Sequence, residues 1–501
     1  MNRLVHNGVL FPKYEPRGFR IIVHGKTVSL TPQQEEMAVA WVRKLGTEYA
    51  EDPVFVDNFF HDFCQALGLD SAISPDFFVF SEIMQYIEAE KAKRLAMGKN
   101  EKKRLAAERK VVREANRSKY GQAIVNDERV DLGNYMAEPS CIFMGRGKHP
   151  LRGHWKAGPS ESDVVLNLSP DAPRPLGNWK EVVWQPDSMW IAKWNDKLRG
   201  DEKYVWLADS ASVKQEREIE KFNKARKLER KIGELRNHIA ANLVSTDVKR
   251  RKIATVVHLI DVLNLRVGDE KDKDEADTVG ATTLRPEHVK FREGNRVSFS
   301  FLGKDSVLWD KEVELPPRVV TNLKEFIATN PEGAIFNGVR SENVNRFLSE
   351  VVPGLSAKVF RTYRASQTVE EYLKKARARK RYPEYMKKNV ATLANLEAAI
   401  VCNHKRKMPK NWEAALEKKQ VRLKLLRTKT TKKAVEATQE LELKIETLKS
   451  TRDYNLGTSL RSYIDPRLYY RWGNKVNFNW KSYYSKTLQR KFSWVEHGTP
   501  P

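Results

Sequence analysis

The sequence has few cysteines, no long apolar run and a deficit of acidic residues, and each of these shortages excludes a class of protein. Its three cysteines, Cys64, Cys141 and Cys402, lack CxxC spacing, so neither a disulfide framework nor a zinc cluster is encoded. No segment reaches the roughly 18 consecutive apolar residues of a membrane-spanning helix, and the N-terminus lacks a secretory signal core. We therefore expect an intracellular protein that makes no use of a membrane.

The shortage of acidic residues leaves a large positive charge. The 501 residues include 90 Lys and Arg against 65 Asp and Glu, for a formal net charge of +25. Such a surplus requires a polyanion as the habitual partner, and nucleic acid is the leading candidate. A metal site is not favoured, because the closest group of possible ligands, Cys141, His149 and His154, lies in a Gly/Pro-punctuated loop.

The patterning predicts an α+β protein of about three domains. Residues 1–211 mix strand and helix patterns, including a charged helical pair at about 81–120 that is broken at Gly98. Residues 212–408 begin with a long basic helix and are mainly helical. Their β segment has Val297, Phe299 and Phe301 alternating with polar residues before a turn at Gly303. Residues 409–453 predict an antiparallel helical hairpin, and residues 454–501 a small basic, aromatic-rich unit.

A nucleotide-binding loop is absent, although "LGKDS" invites comparison with one. A P-loop has a glycine five positions before its second glycine and Ser or Thr after its lysine, where this chain has Ser298 and Asp305. An enzyme that breaks and rejoins phosphodiester bonds without ATP must keep the bond energy in a covalent intermediate. A covalent phosphotyrosine does so.

One of the 16 tyrosines has neighbours that suit a nucleophile. In "SYIDPR", Asp465 and Pro466 predict the N-cap and first residue of a helix whose positive end faces back towards Tyr463. A phenol has an ordinary pKa near 10, so it attacks well only where cations and dipoles favour the phenolate. Partners elsewhere in the chain must therefore support this assignment.

Four further segments supply candidate partners, each with an ordinary structural explanation when taken alone. We predict Arg266 in the last turn of the helix "KIATVVHLIDVLNLRVGDE", which ends near Gly268. Lys304 is predicted at the tip of a hairpin. Arg361 alone is a surface arginine, and His404 lies on an apolar helix stripe, where histidines are usually core residues.

Together these residues make a more specific pattern. Arg, Lys, Arg, His and Tyr, in this order and with these neighbours, resemble the active site of eukaryotic-type DNA topoisomerases IB. The segments that carry the resemblance are "LRVGDEK", "ADTVG", "SFLGKDS", "AKVFRTYRAS", "VCNHKR" and "SYIDPR", with "GRGKHP" and "PKYEP" upstream. It extends over almost the whole chain, from about Val5 onward.

The family resemblance implies a two-lobed clamp around duplex DNA. Residues 1–211 would form the cap, 212–408 the catalytic core, 409–453 the linker and 454–501 the C-terminal domain with the nucleophile. The implied catalytic residues are Arg266, Lys304, Arg361, His404 and Tyr463. The implied DNA-contacting residues are Arg146, Lys221, Asp305, Lys358 and Thr458.

The implied activity is that of an isomerase. It would relax supercoiled DNA through a 3′-phosphotyrosyl intermediate, as a monomer on the chromosome, without metal, ATP or any other cofactor. The nearest alternative is a site-specific tyrosine recombinase, which would need specific sites and tetrameric synapsis. A second is a non-catalytic architectural DNA-binding protein, for which His404 and Tyr463 would be unnecessary. A metal-dependent nuclease is least favoured, because no carboxylate cluster is present.

The chain departs from the family pattern near the nucleophile, where the family usually has Ser-Lys-x-Asn-Tyr and this chain has Ser459, Leu460, Arg461, Ser462 and Tyr463, and again at Asp269. Ser462 precedes the tyrosine where the family usually has Asn, near the site of camptothecin-type poisons, so we predict reduced drug sensitivity. Asp269 replaces another familiar Asn, which puts one phosphate contact in doubt. The short hairpin and the missing charged N-terminal extension fit an archaeal or otherwise compact member, in the nucleoid if archaeal and in the nucleus if eukaryotic.

Overall fold

The structure is a computed structural model that describes residues 1–69, 73–269, 279–304 and 307–496. Asp305, a predicted DNA contact, lies outside these ranges. The chain divides into two compact units, the first ending at Lys214 and the second beginning at Gln215. The site described below is built within the second unit.

Short strands in small sheets make up much of the first unit. In chain order they are β1 (Leu4–His6), β2 (Arg20–Val23), β3 (Lys26–Ser29), β4 (Phe78–Val79), β5 (Gln122–Val125), β6 (Glu128–Asp131), β7 (Cys141–Ile142), β8 (Trp155–Lys156), β9 (Val165–Asn167), β10 (Glu181–Val183), β11 (Trp190–Asn195) and β12 (Glu202–Trp206). The sheets have the orders β3-β2-β4, β1-β5-β6, β7-β8 and β10-β9-β11-β12. Strands β9 and β10 pair in parallel, and the other pairs are antiparallel.

Helices in the first unit begin and end where local chemistry directs. They are α1 (Pro32–Val42), α2 (Pro53–Leu67), α3 (Ser81–Ala96) and α4 (Lys99–Tyr120). Thr31 starts α1 with a capping box, in which its hydroxyl accepts from Gln34 N–H and the Gln34 side chain accepts from Thr31 N–H. Helices α3 and α4 are the predicted charged pair, and Gly98 is the N-cap between them.

The second unit is mainly helical. Its helices are α5 (Ser212–Asn242), which starts just before the boundary, α6 (Val248–Leu263), α7 (Pro317–Thr329), α8 (Ser341–Ser349), α9 (Lys358–Lys375), α10 (Glu384–Val401), α11 (Trp412–Arg427), α12 (Lys432–Ser450), α13 (Leu456–Ser462), α14 (Pro466–Val476) and α15 (Lys486–Lys491). An antiparallel sheet is formed by β13 (Val289–Phe291), β14 (Arg296–Gly303) and β15 (Val307–Glu314). The predicted α+β class is confirmed.

The β14–β15 hairpin follows the alternation in the sequence. Val297, Phe299 and Phe301 point into the core, and Gly303 pairs with Val307 at the end of the ladder. Lys304 therefore lies at the end of β14, as predicted.

Helix α9 connects the two apolar cores of the second unit. Val359 and Tyr363 belong to a core that also contains side chains of α5 to α8 and of the sheet. Ala365 and Val369 belong to a core with α10, α13 and α14. Because both halves of α9 are packed, Arg361 in its first turn has a fixed backbone position.

Helices α11 and α12 pack against each other in the predicted hairpin, and α12 also contacts α10. Helix α12 buries Ala434, Leu441 and Ile445, whereas none of the residues of α11, all of them described, is buried. In the described ranges, no helix combines the length and apolarity needed to cross a bilayer. The predicted domain boundaries and the clamp arrangement stay predictions.

Candidate active site

Tyr463 lies between two helices. It follows the last residue of α13, and the next helix begins at Pro466 with Asp465 as N-cap, as the sequence predicted. The Asp465 carboxylate accepts from Arg467 N–H at 3.0 Å and also binds the guanidinium groups of Arg467 and Arg226. The half-buried Tyr463 thus lies in a short connection whose following helix is capped by Asp465.

Arg361 is the central group of the site. Its Nη1 donates to the carbonyl oxygen of Asn264 at 2.7 Å, and its Nη2 donates to that of Cys402 at 2.8 Å. Both carbonyls terminate helices, α6 and α10, where they have no intrahelical partner. The guanidinium carbon also lies 5.1 Å from the centre of the Tyr463 ring.

The expectation of a surface arginine at Arg361 is wrong, because only 5% of the residue is exposed. The sequence pattern of α9 alone does not show that the carbonyl oxygens at the ends of two other helices lie beside Arg361 and need a donor. Arginine suits this position because its planar fork can donate to several acceptors at once.

His404 lies beyond the end of α10 rather than on its apolar stripe, so that prediction is also wrong. The helix ends at Val401, Asn403 takes a left-handed φ of 52°, and His404 N–H donates back to Ala399 O at 2.8 Å. The buried ring lies 5.0 Å, centre to centre, from the Tyr463 ring, and the two ring planes are tilted by 35°. This turn points the imidazole towards Tyr463.

Both ring nitrogens of His404 have partners. Nε2 lies 3.0 Å from Arg361 Nη2, and Nδ1 lies 2.6 Å from Ser459 Oγ. Burial, and then the charges of Arg361 and Arg266, lower the pKa of His404 to about 3. The ring is therefore neutral near neutral pH.

Arg266 lies after α6 and not in its last turn. The helix ends at Leu263 because Asn264 adopts a left-handed φ of 56°. Arg266 then lies in a segment without regular secondary structure, and its carbonyl oxygen accepts from Ala281 N–H at 2.8 Å. The segment needs glycine at Gly280, where a Cβ would lie only 2.4 Å from Gly268 Cα.

A pocket collects four of the five predicted catalytic residues. Its lining includes Arg266, Lys304, Arg361 and His404, together with the predicted DNA contact Thr458. Tyr463 borders the same place through its contacts with His404 and Arg361. Residues that are far apart in sequence thus converge on one cationic hollow.

The surroundings of Tyr463 favour its ionised form. Burial raises the pKa of the phenol, but the charges of Arg361 and Arg266 outweigh this effect, so the pKa lies below its ordinary value. A phenolate is the more reactive nucleophile. The arrangement can therefore hold an anion and present an activated oxygen to it.

The predicted DNA contacts have different positions. Lys358 is exposed at the start of α9, and Arg146 is exposed in the first unit. Lys221 instead donates to the carbonyl oxygen of Ser462 at 3.1 Å and to Glu218 at 2.7 Å. Burial lowers the pKa of Lys221 in spite of Glu218. In this structure Lys221 supports the segment that precedes the tyrosine.

Asp269 binds the start of a helix. Its carboxylate accepts from Ser341 N–H, at the first residue of α8, at 2.8 Å, and from Thr282 Oγ1 at 3.5 Å. A negative side chain at this position stabilises the positive helix end. This role explains an acidic residue here without a phosphate contact.

Sequence reasoning missed Ser459 and the carbonyls of Asn264 and Cys402. A signal existed for Ser459, which lies one helical turn before Tyr463 on α13 and so faces the same side. The asparagines that end α6 and start the turn after α10 were also readable as left-handed helix ends. In the part of the chain that the structure describes, no cluster of three or more His, Cys, Asp or Glu could hold a metal ion.

Comparison with known proteins gives consistent matches along the chain. Residues 1–207 match the family model of the eukaryotic DNA topoisomerase I DNA-binding fragment, and residues 210–438 match that of its catalytic core. Residues 435–501 match a C-terminal topoisomerase domain.

Individual relatives match over nearly the whole chain. DNA topoisomerase 1 beta of Arabidopsis thaliana is 35% identical over 98% of this chain and 58% of the relative. DNA topoisomerase 1 of Drosophila melanogaster is 34% identical over 99% of this chain and 54% of the relative. The human DNA topoisomerase 1 is 32% identical over 98% of this chain and 70% of the relative. The chain thus spans less than two thirds of the plant and insect proteins. The archaeal expectation gains no support from these eukaryotic relatives.

Proposed function

The chain belongs to the eukaryotic DNA topoisomerase I family, and on this premise we propose that it relaxes supercoiled duplex DNA as a type IB enzyme. The observation that carries the proposal is the convergence of Arg266, Lys304, Arg361 and His404 around one pocket beside Tyr463. Neither recognition of DNA alone nor packing requires a neutral histidine and a buried guanidinium that both contact one tyrosine ring.

The proposed reaction begins when Tyr463 Oη attacks the phosphorus of a DNA phosphodiester. The phenol proton passes to solvent water, a P–O bond forms to Tyr463, and the bond to the 5′ oxygen breaks. The 3′ phosphate remains on the tyrosine, and the 5′ oxygen leaves as a hydroxyl. One phosphodiester replaces another, so the step conserves bond energy without ATP.

The transition state gathers negative charge on the non-bridging phosphate oxygens, and the pocket supplies positive donors for it. The planar guanidinium groups of Arg266 and Arg361 can each donate two hydrogen bonds. His404 contributes a further donor when Nε2 carries its proton. Loss of one such donor should cost on the order of 10² to 10³ in rate.

The leaving oxygen needs a proton, and we assign its donation to Lys304. Lys304 lines the same pocket as the two arginines and His404, and positioned acids contribute about 10² to 10⁴ in rate. The freed 5′ end then rotates and releases supercoils. Its hydroxyl reverses the first step and regains the phosphate.

Duplex DNA is the proposed partner. The net charge of +25 favours binding to phosphates, and we assign contacts to Arg146, Lys358, Thr458 and Asp305. The enzyme would act as a monomer, on the chromosome in the nucleus. A camptothecin-type poison would bind between DNA and protein near Ser462.

The alternatives make different predictions. A tyrosine recombinase would act only at specific sites and as a tetramer, whereas the proposed enzyme relaxes an arbitrary plasmid as a monomer. An architectural DNA-binding protein would bind in a salt-sensitive manner without a covalent adduct.

The deciding experiment is relaxation of a supercoiled plasmid in EDTA without ATP. Wild-type protein should relax it and, after denaturation, should remain attached to a DNA 3′ end, whereas Tyr463→Phe should do neither. Tyr470→Phe, which removes a half-buried phenol hydroxyl on α14, is the matched control and should relax the plasmid. Relaxation by Tyr463→Phe, or a strict need for metal, would refute the proposal.

A further inference from the structure

The two hydrogen bonds of His404 define which ring nitrogen carries the proton. Arg361 has only donors, so His404 Nε2, at 3.0 Å from its Nη2, must accept and carries no proton. The neutral ring then has its proton on Nδ1, which donates to Ser459 Oγ at 2.6 Å. In this arrangement the Nε2 atom of His404, which faces Arg361, can accept a hydrogen bond but cannot donate one.

The proposed reaction requires the opposite arrangement. When DNA binds, a phosphate oxygen would replace His404 Nε2 as the acceptor for Arg361. This oxygen can accept a hydrogen bond from His404 only if Nε2 carries a proton. If the ring stays neutral, Nδ1 must then accept a hydrogen bond. The exchange releases one proton from Nδ1 to solvent water and takes up one at Nε2, so the charge of the ring does not change.

Ser459 has the chemistry that both arrangements need. A hydroxyl can accept from Nδ1–H or donate to an unprotonated Nδ1, whereas a carboxylate in this position could only accept and would favour the imidazolium. Ser459 is fully buried, so water cannot readily take its place as the partner of His404 Nδ1. Its backbone oxygen accepts from Tyr463 N–H at 2.9 Å. The same helical turn therefore carries the proposed nucleophile and the partner of His404.

We propose that Ser459 is a positioning residue that orients His404 and reverses its own hydrogen bond when His404 turns from acceptor into phosphate donor. The inference rests on the proposed function, because it concerns how His404 serves the phosphate. It adds a role for a hydroxyl that does not itself line the pocket.

A double-mutant cycle tests this role. The measurement is the single-turnover rate of covalent adduct formation on a nicked duplex, for Ser459→Ala, His404→Ala and the double variant. Ser459→Ala should slow the reaction by about 10-fold to 100-fold, as is typical when a functional histidine loses the hydrogen-bond partner that orients its ring. With His404 absent, Ser459→Ala should cause no further loss. DNA affinity, measured with Tyr463→Phe added, should not change.

A modified DNA provides a readout that a packing defect would not move. In one methylphosphonate diastereomer the phosphate oxygen that His404 contacts is replaced by a methyl group. On this DNA, Ser459→Ala and the wild type should react at equal rates. Ser366→Ala is the matched control, because Ser366 Oγ contacts the backbone of Tyr463 and Asp465 but not His404. Its effect should persist on the modified DNA and in the His404→Ala background.

Two results would overturn the proposal. One is a Ser459→Ala rate within twofold of wild type. The other is an equal loss with and without His404. Should Ser459→Ala fail to fold, Ser459→Cys, with a thiol of similar size that bonds weakly, enters the same cycle. A wild-type chain that forms no adduct refutes the proposed function, whereas an active wild type with an additive cycle refutes only the role of Ser459.

Discussion

Replacement of Arg361 is the sharpest test of the site, because one side chain joins two helix ends, the imidazole and the phenol. Arg361→Ala removes the charged donor from the carbonyl oxygens of Asn264 and Cys402 and from His404 Nε2. It also removes the largest charge effect that lowers the pKa of Tyr463. Stability and rate should therefore fall together.

The magnitude follows from these contacts. A buried acceptor that loses its partner costs about 1–3 kcal/mol, and Arg361→Ala affects two backbone carbonyls of this kind. Loss of the same guanidinium from the transition state should slow cleavage by on the order of 10² to 10³. Arg361→Lys keeps the charge, but one ammonium cannot replace the planar fork that spans both carbonyls and the imidazole. We expect it to lose most of the rate as well.

The assay combines two measurements on Arg361→Ala, Arg361→Lys and wild type. Adduct formation in a single turnover reports the rate, and urea unfolding reports the free energy of unfolding. Arg364→Lys is the matched control, because Arg364 is a half-buried arginine on the same helix that donates to Gln367. It should stay within about 0.5 kcal/mol of wild type in stability, as for surface substitutions.

One result would refute this reasoning. If Arg361→Lys cleaves DNA within threefold of wild type and unfolds at the same urea concentration, a positive charge alone suffices and the bridging geometry is irrelevant. Equal effects of the Arg361 and Arg364 substitutions would lead to the same conclusion.

Three further predictions concern single residues of the site. Lys304→Ala should slow cleavage by about 10² to 10⁴, yet recover on DNA with sulfur at the 5′ bridging position, because a thiolate leaves without protonation; no recovery would contradict its role as acid. His404 has a folded pKa of about 3, below its unfolded value of 6.5, so its contribution to stability is present above pH 6.5 and is lost as the pH falls towards 3. His404→Gln should therefore reduce the slope of unfolding free energy between pH 6.5 and 4, by up to about 1.4 kcal/mol per pH unit, and an unchanged slope would contradict the buried neutral ring. Ser462→Asn should increase the adducts trapped by a camptothecin-type poison, and equal trapping by both proteins would show that this position does not affect the drug.

Local patterns predicted those features that depend on neighbouring residues. Asp465 and Pro466 predicted the start of α14, because an N-cap residue and a first-turn proline act on the adjacent backbone. The alternation of Val297, Phe299 and Phe301 predicted β14 because side chains of a strand point to opposite faces in turn.

The same local approach misplaced three site residues. Helical periodicity predicts Arg266 and His404 within helices, but both helices end earlier because the left-handed turns at Asn264 and Asn403 stop them. The local pattern predicts a surface position for Arg361, although its guanidinium binds carbonyl oxygens at two other helix ends. The errors at Arg266 and His404 concern helix ends that a neighbouring asparagine signals, whereas the burial of Arg361 depends on groups that are distant in sequence.

Residue identity and order alone sufficed to recognise the family, the basic character, the α+β class and the set of five candidate residues. Tertiary folding decided that Arg361 is buried, that His404 is neutral and accepts from it, and that Ser459 supports the imidazole. The physical reason is that hydrogen bonding, desolvation and charge act over a few ångströms in space. Only packing of α6, α9, α10 and α13 brings the interacting groups within that range.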